Sequence, residues 1–147
     1  MVDTSKHTDP ATLEYYSFAW SEVRLVVAAV SLIAGAYPIV YRIAIGGLVN
    51  GLLQLCWVIS GIASAYLLYR WYTGGRKLFG GTDKKDMAAF LVSTISGINL
   101  GVTGLIGDNL GMFIIPFYPV YVLAGVVYVV AAWHLFARWK AYGQKLF

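Results

Sequence analysis

Charge is what this chain has least of. Only 12% of its 147 residues are Asp, Glu, Lys or Arg, against roughly 25% in a soluble domain. The shortage is concentrated. Between Leu25 and Tyr69 the only charged residue is Arg42, and between Met87 and Ala137 the only one is Asp108. Segments so poor in charge and so rich in apolar side chains cannot stay in water, which excludes an ordinary soluble domain. Cysteine is scarcer still. Cys56 stands alone, so an intramolecular disulfide is excluded and a thiolate metal cluster has no members. A small buried packing residue is the expected role.

Histidine is nearly as rare. His7 lies in the polar N-terminal tail, and His134 lies four residues before Arg138, where an interfacial side chain is expected. Two such histidines supply no metal site, and haem ligation by one histidine per chain would need a symmetric partner. No carboxylate falls inside the apolar runs as drawn below, which removes the usual parts of an intramembrane proton relay. No Ser/His/Asp or Cys/His set lies within them for nucleophilic catalysis. The glycine- and lysine-containing stretch "TGGRKLFGGTDKKD" lacks the G-K-[ST] of a phosphate-binding loop. These absences leave no catalytic residue, cofactor or metal to assign, and an enzyme is not expected.

What is present is apolar length. Four runs are long enough to cross a bilayer, at about 25–41, 43–69, 87–107 and 112–135. Unpaired backbone groups are too costly in hydrocarbon for anything but helices here. Residues 1–24 are too polar and acidic for a cleavable signal, so the first helix is expected to act as an uncleaved insertion signal. Residues 1–12 are expected to be loosely ordered, and 13–20, "LEYYSFAW", to form a short amphipathic interfacial helix. Thr82 or Asp83 is placed to cap the third span, with Asp86 in its first turn.

An even number of spans puts both termini and the central loop on one side. All of the 11 Lys and Arg except Arg42 then fall on that side: Lys6, Arg24, Arg70, Arg76, Lys77, Lys84, Lys85, Arg138, Lys140 and Lys145. By the positive-inside bias the termini are expected to be cytoplasmic and the membrane to be the cytoplasmic (inner) one. The net charge of +4 then points to anionic lipid head groups and not to nucleic acid. Trp20, Trp71, Tyr72 and Trp139 fall where an interfacial aromatic belt belongs. Arg70, Trp71, Arg76, Lys77, Arg138, Trp139 and Lys145 form the expected lipid interface, with Leu78 and Phe79 dipping into it.

The ends of the second and fourth spans match. "LYRWYTGGRKLF" (68–79) aligns with "FARWKAYGQKLF" (136–147), pairing Arg70 with Arg138, Trp71 with Trp139, Gly75 with Gly143, and the two "KLF" segments. A shift of two fewer residues aligns Ser31 with Gly97, Gly35 with Gly101 and Arg42 with Asp108. The chain thus reads as two tandem hairpins, 23–79 and 80–147, after an N-terminal segment 1–22. Such a repeat is parallel, unlike the inverted repeats of many transporters. It makes Arg42 and Asp108 equivalent outer-face charges of opposite sign, which either approach each other or each sit in water.

The stretch "SGINLGVTGLIGDNLG" (96–111) carries a likeness. Gly97, Asn99, Gly101, Gly104, Leu105 and Asp108, followed by Tyr121, Leu123, Gly125, Val126 and Leu135, resemble the small bacterial two-helix membrane family known as domain of unknown function 378. Its pattern is G-L-N-W-G-L-x-G-L, a polar outer turn and a "YxLxGLxxLYLL" helix. Leu100 stands where that family has tryptophan. The likeness covers about 90–135, with the first half a diverged copy. It implies a two-helix unit and carries no activity.

On a helix, Ser96, Asn99 and Thr103 share one stripe, with Gly97, Gly101 and Gly104 beside it. Asn50, Gln54, Trp57, Gly61 and Ser64 recur at the same spacing on the second span, with Gly47 and Gly51 as a second GxxxG. Small residues let helices approach and polar ones bond across the gap. The expectation is that Asn50 and Gln54 face the bundle interior together with Asn99. The fold expected is therefore an all-α, four-helix integral membrane bundle. The function expected is a structural or interaction protein, homo-oligomeric or bound to a membrane-protein partner. The rivals are a minimal oligomeric channel or transporter lined by Asn50, Gln54, Asn99 and Thr103, and a lipid-binding membrane organiser.

Overall fold

The computed structural model describes residues 9–35 and 47–147. Five helices occupy them: α1 (Pro10–Ile33), α2 (Gly47–Thr73), α3 (Lys84–Ile106), the short α4 (Leu110–Ile114) and α5 (Tyr118–Ala141). All except α4 are long and apolar enough to cross a membrane. This is an all-α four-helix bundle, and the protein is a multi-pass membrane protein. Around the bundle the order is α1, α2, α3, α5, closing back on α1. The most extensive contacts, α2 with α3 and α1 with α5, join the two halves of the chain.

The first helix departs from expectation. It starts at Pro10, whose fixed φ suits the first turn, and runs unbroken through the "LEYYSFAW" stretch. That stretch is therefore no separate interfacial helix, and the expected boundary at residue 22 falls inside α1. The reason is tertiary. Glu14, Glu22 and Arg24, which read as the polar edge of the span, are all buried against the other helices. The last span starts later than expected. Pro116, which has no amide hydrogen, and Pro119 in the first turn of α5 separate it from α4.

Asp83 caps α3, accepting from the amides of Lys85 at 2.7 Å and Asp86 at 3.3 Å. Those two bonds hold the Asp83 carboxyl below the usual carboxylate range. A carboxyl so lowered contributes stability above its unfolded-state pKa and loses it as pH falls through the folded value. Asp83→Ala is accordingly expected to lower the melting midpoint at neutral pH. The gap from the parent should close in acid, as followed by circular dichroism in detergent.

The matched ends of α2 and α5 fold alike. Gly75 and Arg76 have φ of 81° and 61°, and Gly143 and Gln144 have 68° and 62°. In each turn the second residue's amide returns to a tryptophan carbonyl, Arg76 to Trp71 and Gln144 to Trp139, both at 2.9 Å. Glycine enters this left-handed region at no steric cost, which suits Gly75 and Gly143 to the start of each turn; Arg76 and Gln144 follow them there despite their side chains. Each turn then drops a leucine, Leu78 or Leu146, into the core. The two "KLF" segments meet through Phe79 N–H donating to the Leu146 carbonyl at 2.8 Å. Leu78 and Phe79 are thus buried in protein and do not dip into lipid. Trp139 is also buried, against Tyr15, Phe18 and Phe136, and belongs to no exposed belt.

Candidate functional site

Two polar clusters lie inside this apolar bundle. One closes its basic end. The Asp86 side chain, only 2% exposed, receives His134 Nε2 at 2.7 Å. Arg138 reaches the same carboxylate with Nε at 3.0 and 3.1 Å and Nη2 at 2.9 Å. The guanidinium also stands over the Phe79 ring, 5.6 Å from its centroid. So His134, read as an isolated interfacial side chain, is one arm of a bridge from the buried Asp86 of α3 to α5. Glu14 does the same job on the other side, accepting from Arg70 at 3.3 Å and from the Phe147 amide at 3.1 Å. The two matched arginines therefore each hold a carboxylate near the start of the preceding long helix.

The second cluster lies halfway along the helices. Arg24, expected among the basic residues outside the bundle, is buried. Its Nη1 donates to Ser96 Oγ at 3.0 Å, and its Nη2 donates to the Ser93 carbonyl at 2.7 Å. Tyr128 of α5 lies beside both Arg24 and Ser96. Glu22 is buried nearby on α1. The bundle therefore does hold a carboxylate within a membrane-crossing helix, against expectation. No sequence signal short of drawing α1 from Pro10 would have found it, because the apolar run begins only at Leu25.

The glycines expected to mediate packing lie between α2 and α3. A Cβ on Gly101 would stand 2.6 Å from the Gly61 Cα, and one on Gly61 would stand 2.7 Å from the Gly101 Cα. Gly97 meets the Ser64 side chain, and Gly104 meets the Gln54 carbonyl and the Trp57 and Val58 side chains. Backbones this close exclude any side chain, and with it water, from the crossing.

Other expected site residues are not brought together. The side chains of Asn50 and Gln54 are exposed, not interior. No described atom comes within 4 Å of a Cβ placed on Gly47 or Gly51. The α2–α3 crossing is centred on Gly61 and reaches Gln54 only through its carbonyl, against Gly104; α3 ends two residues later at Ile106, so Asn50 lies beyond the contact. Asn99 does not meet them. Its Nδ2 donates to Asn109 Oδ1 at 3.0 Å, and that oxygen also caps α4 through the Met112 amide. Thr103 Oγ1 bonds the Asn99 carbonyl at 2.9 Å. Asp108 is exposed, and Arg42 lies outside the described residues, as do Lys6 and His7. Cys56 is half-buried and unbridged. Arg76, Lys77 and Lys145 are exposed at the basic end, with Arg76 over the Tyr72 ring at 4.9 Å.

Asn99→Leu is expected to cost about 1 kcal/mol, since Asn109 keeps the Met112 amide and only one side-chain hydrogen bond is lost. Thermal unfolding in detergent measures it.

Comparisons with protein-family models, curated proteins and solved structures find no match to this chain.

Proposed function

We propose that this chain is a structural or interaction protein of the cytoplasmic membrane, with both termini on the cytoplasmic side. The observation that carries the reading is the Gly61–Gly101 crossing. It closes α2 on α3 without side chains between them, so the bundle is built to be packed and to present its outside. That outside is a broad apolar surface, with Leu55, Ile62, Leu105, Val130 and Trp133 all exposed. It suits lipid and a second copy or another membrane protein. The same geometry weighs against a conduit within one chain. The side chains of Asn50 and Gln54 are exposed, while Asn99 and Thr103 are bonded locally.

A second reading has its own support. Arg76, Lys77, Lys84, Lys85, Lys140 and Lys145 are all exposed at one end of the bundle. Charges so placed favour an anionic leaflet by about 1 kcal/mol each, as a lipid-binding organiser requires. The likeness to domain of unknown function 378 is part of the proposal and bears on architecture only.

Chromatography with mass measurement in mild detergent tests the main reading. A defined oligomer, or a complex of fixed stoichiometry with a membrane protein, is the expected result. A strict monomer that makes sealed vesicles permeable to a small solute would overturn it. Strong retention on anionic over neutral vesicles, abolished by neutralising Lys77, Lys84 and Lys85, would favour the lipid organiser.

A further inference from the structure

Glu22 is the anomaly of this molecule. Both its carboxyl oxygens are shielded from solvent, and neither has a hydrogen-bond partner among the described residues. The residue as a whole is 8% exposed. Its level in the bundle follows from the α1–α5 contact. Tyr15 and Phe18 lie against Trp139 at one end of that contact, while Ala29 and Ile33 lie against Gly125 further along. Phe18 lies against Trp139, so one turn further along this antiparallel pair Glu22 stands near the level of Leu135, itself buried.

Of the neighbouring charges, Arg24 attracts the Glu22 carboxylate without forming an ion pair with it, and its buried Nε has no hydrogen-bond partner. Arg24, on the same helix, spends Nη1 and Nη2 on Ser96 and Ser93 of α3. On α3, Asp86 is held by His134 and Arg138 of α5. On α2, Arg70 is held by Glu14. Tyr128 of α5 lies with Arg24 and Ser96. No described cation stands within ion-pair distance of Glu22 among the salt bridges of the chain. An ionised carboxylate with neither a donor nor a paired cation is among the costliest groups to bury, and one proton removes that charge.

We propose that Glu22 is a proton-binding site in the core of the bundle. The carboxylate takes a proton from hydronium to give a neutral acid and water, and returns it to hydroxide in alkali. No other bond is made or broken. Loading the site changes the formal charge of Glu22 and Arg24 together from zero to +1. Loss of the proton leaves a charge that the packed core does not satisfy, so unloading loosens the contact of α1 with α5. The ligand is thus the proton itself, and the site makes the membrane-embedded packing responsive to pH.

Infrared spectroscopy of the full chain in lipid vesicles tests this. The difference between parent and Glu22→Gln should contain a protonated-carboxyl carbonyl band at neutral pH that shifts in heavy water and fades in alkali. A carboxylate band in its place at neutral pH overturns the proposal. The melting midpoint should fall in the parent as pH rises from acid to alkali, and Glu22→Gln, an isostere of the neutral acid, should lack that component. Identical pH dependence in both chains also overturns it. Should Glu22→Gln fail to fold, carbon-13 glutamate labelling of the parent decides the question. A side-chain carboxyl signal at the neutral-acid position at neutral pH supports the site, and only ionised signals exclude it.

Discussion

Gly101→Leu is expected to abolish the native bundle or to lower its stability by about 3 kcal/mol or more. Inserting bulk into a well-packed core usually costs about 1–3 kcal/mol, because neighbouring side chains shift to make room. Here no side chain can shift. The first added carbon would stand 2.6 Å from the Gly61 Cα and 3.2 Å from its nitrogen, so the two helix backbones must separate. Separation would also open the Gly97–Ser64 and Gly104–Trp57 contacts on either side. Gly51→Leu is the control. It changes the same residue type on one of the same two helices, but nothing described lies within 4 Å of its Cβ position, so the midpoint should hold. Thermal unfolding in detergent, with chromatography to detect aggregation, reads both. A folded, parent-like Gly101→Leu would mean that the α2–α3 crossing is not as close as described.

The second large effect is expected from Asp86→Ala, at about 2–3 kcal/mol. Breaking a buried ion pair from one side generally costs about 3–5 kcal/mol when the remaining charge is stranded. The discount comes from exposure. The side chains of Arg138 and His134 are 44% and 33% accessible, so both can rehydrate. What is lost is the bridge from α3 to α5 and the anchor that holds Arg138 over Phe79. The basic-end cap should therefore loosen with it. Hydrogen exchange should rise at the Phe79 amide, which bonds the Leu146 carbonyl, before it rises at the Gly61–Gly101 crossing. Equal exchange at both would mean that the triad does not act locally.

The long apolar runs of α2, α3 and α5 identified themselves, since hydrocarbon demands both length and internal hydrogen bonding. Asp83 as a cap was equally legible, because its partners are two and three residues away. Gly97, Gly101 and Gly104 share a face by their spacing alone, but that Gly61 and not Asn50 or Gln54 marks the crossing depends on the folded chain. Helical periodicity says which residues share a stripe, but not where along it the neighbouring helix crosses.

Long-range partnerships were beyond reach. Arg24 reads as a flanking positive charge until Ser93 and Ser96 come beside it from far along the chain. Glu14 likewise awaits Arg70 and the Phe147 amide. Hydropathy scores a charge as if water were its only satisfactory neighbour, and so it placed the edge of the first span about one helix half too late. The repeated "RW…KLF" ends were visible as letters. That they would bury their leucines, pair with one another and close the end of the bundle depended on two distant segments meeting.

By itself, then, the amino-acid sequence determined the solvent of this protein, its helical class and its local caps and turns, because those follow from side-chain transfer energies and contacts a few residues apart. Tertiary structure alone decided which faces touch, which charges are buried and where a lone carboxylate is left without a partner. Those outcomes depend on packing between segments that only the folded chain brings together.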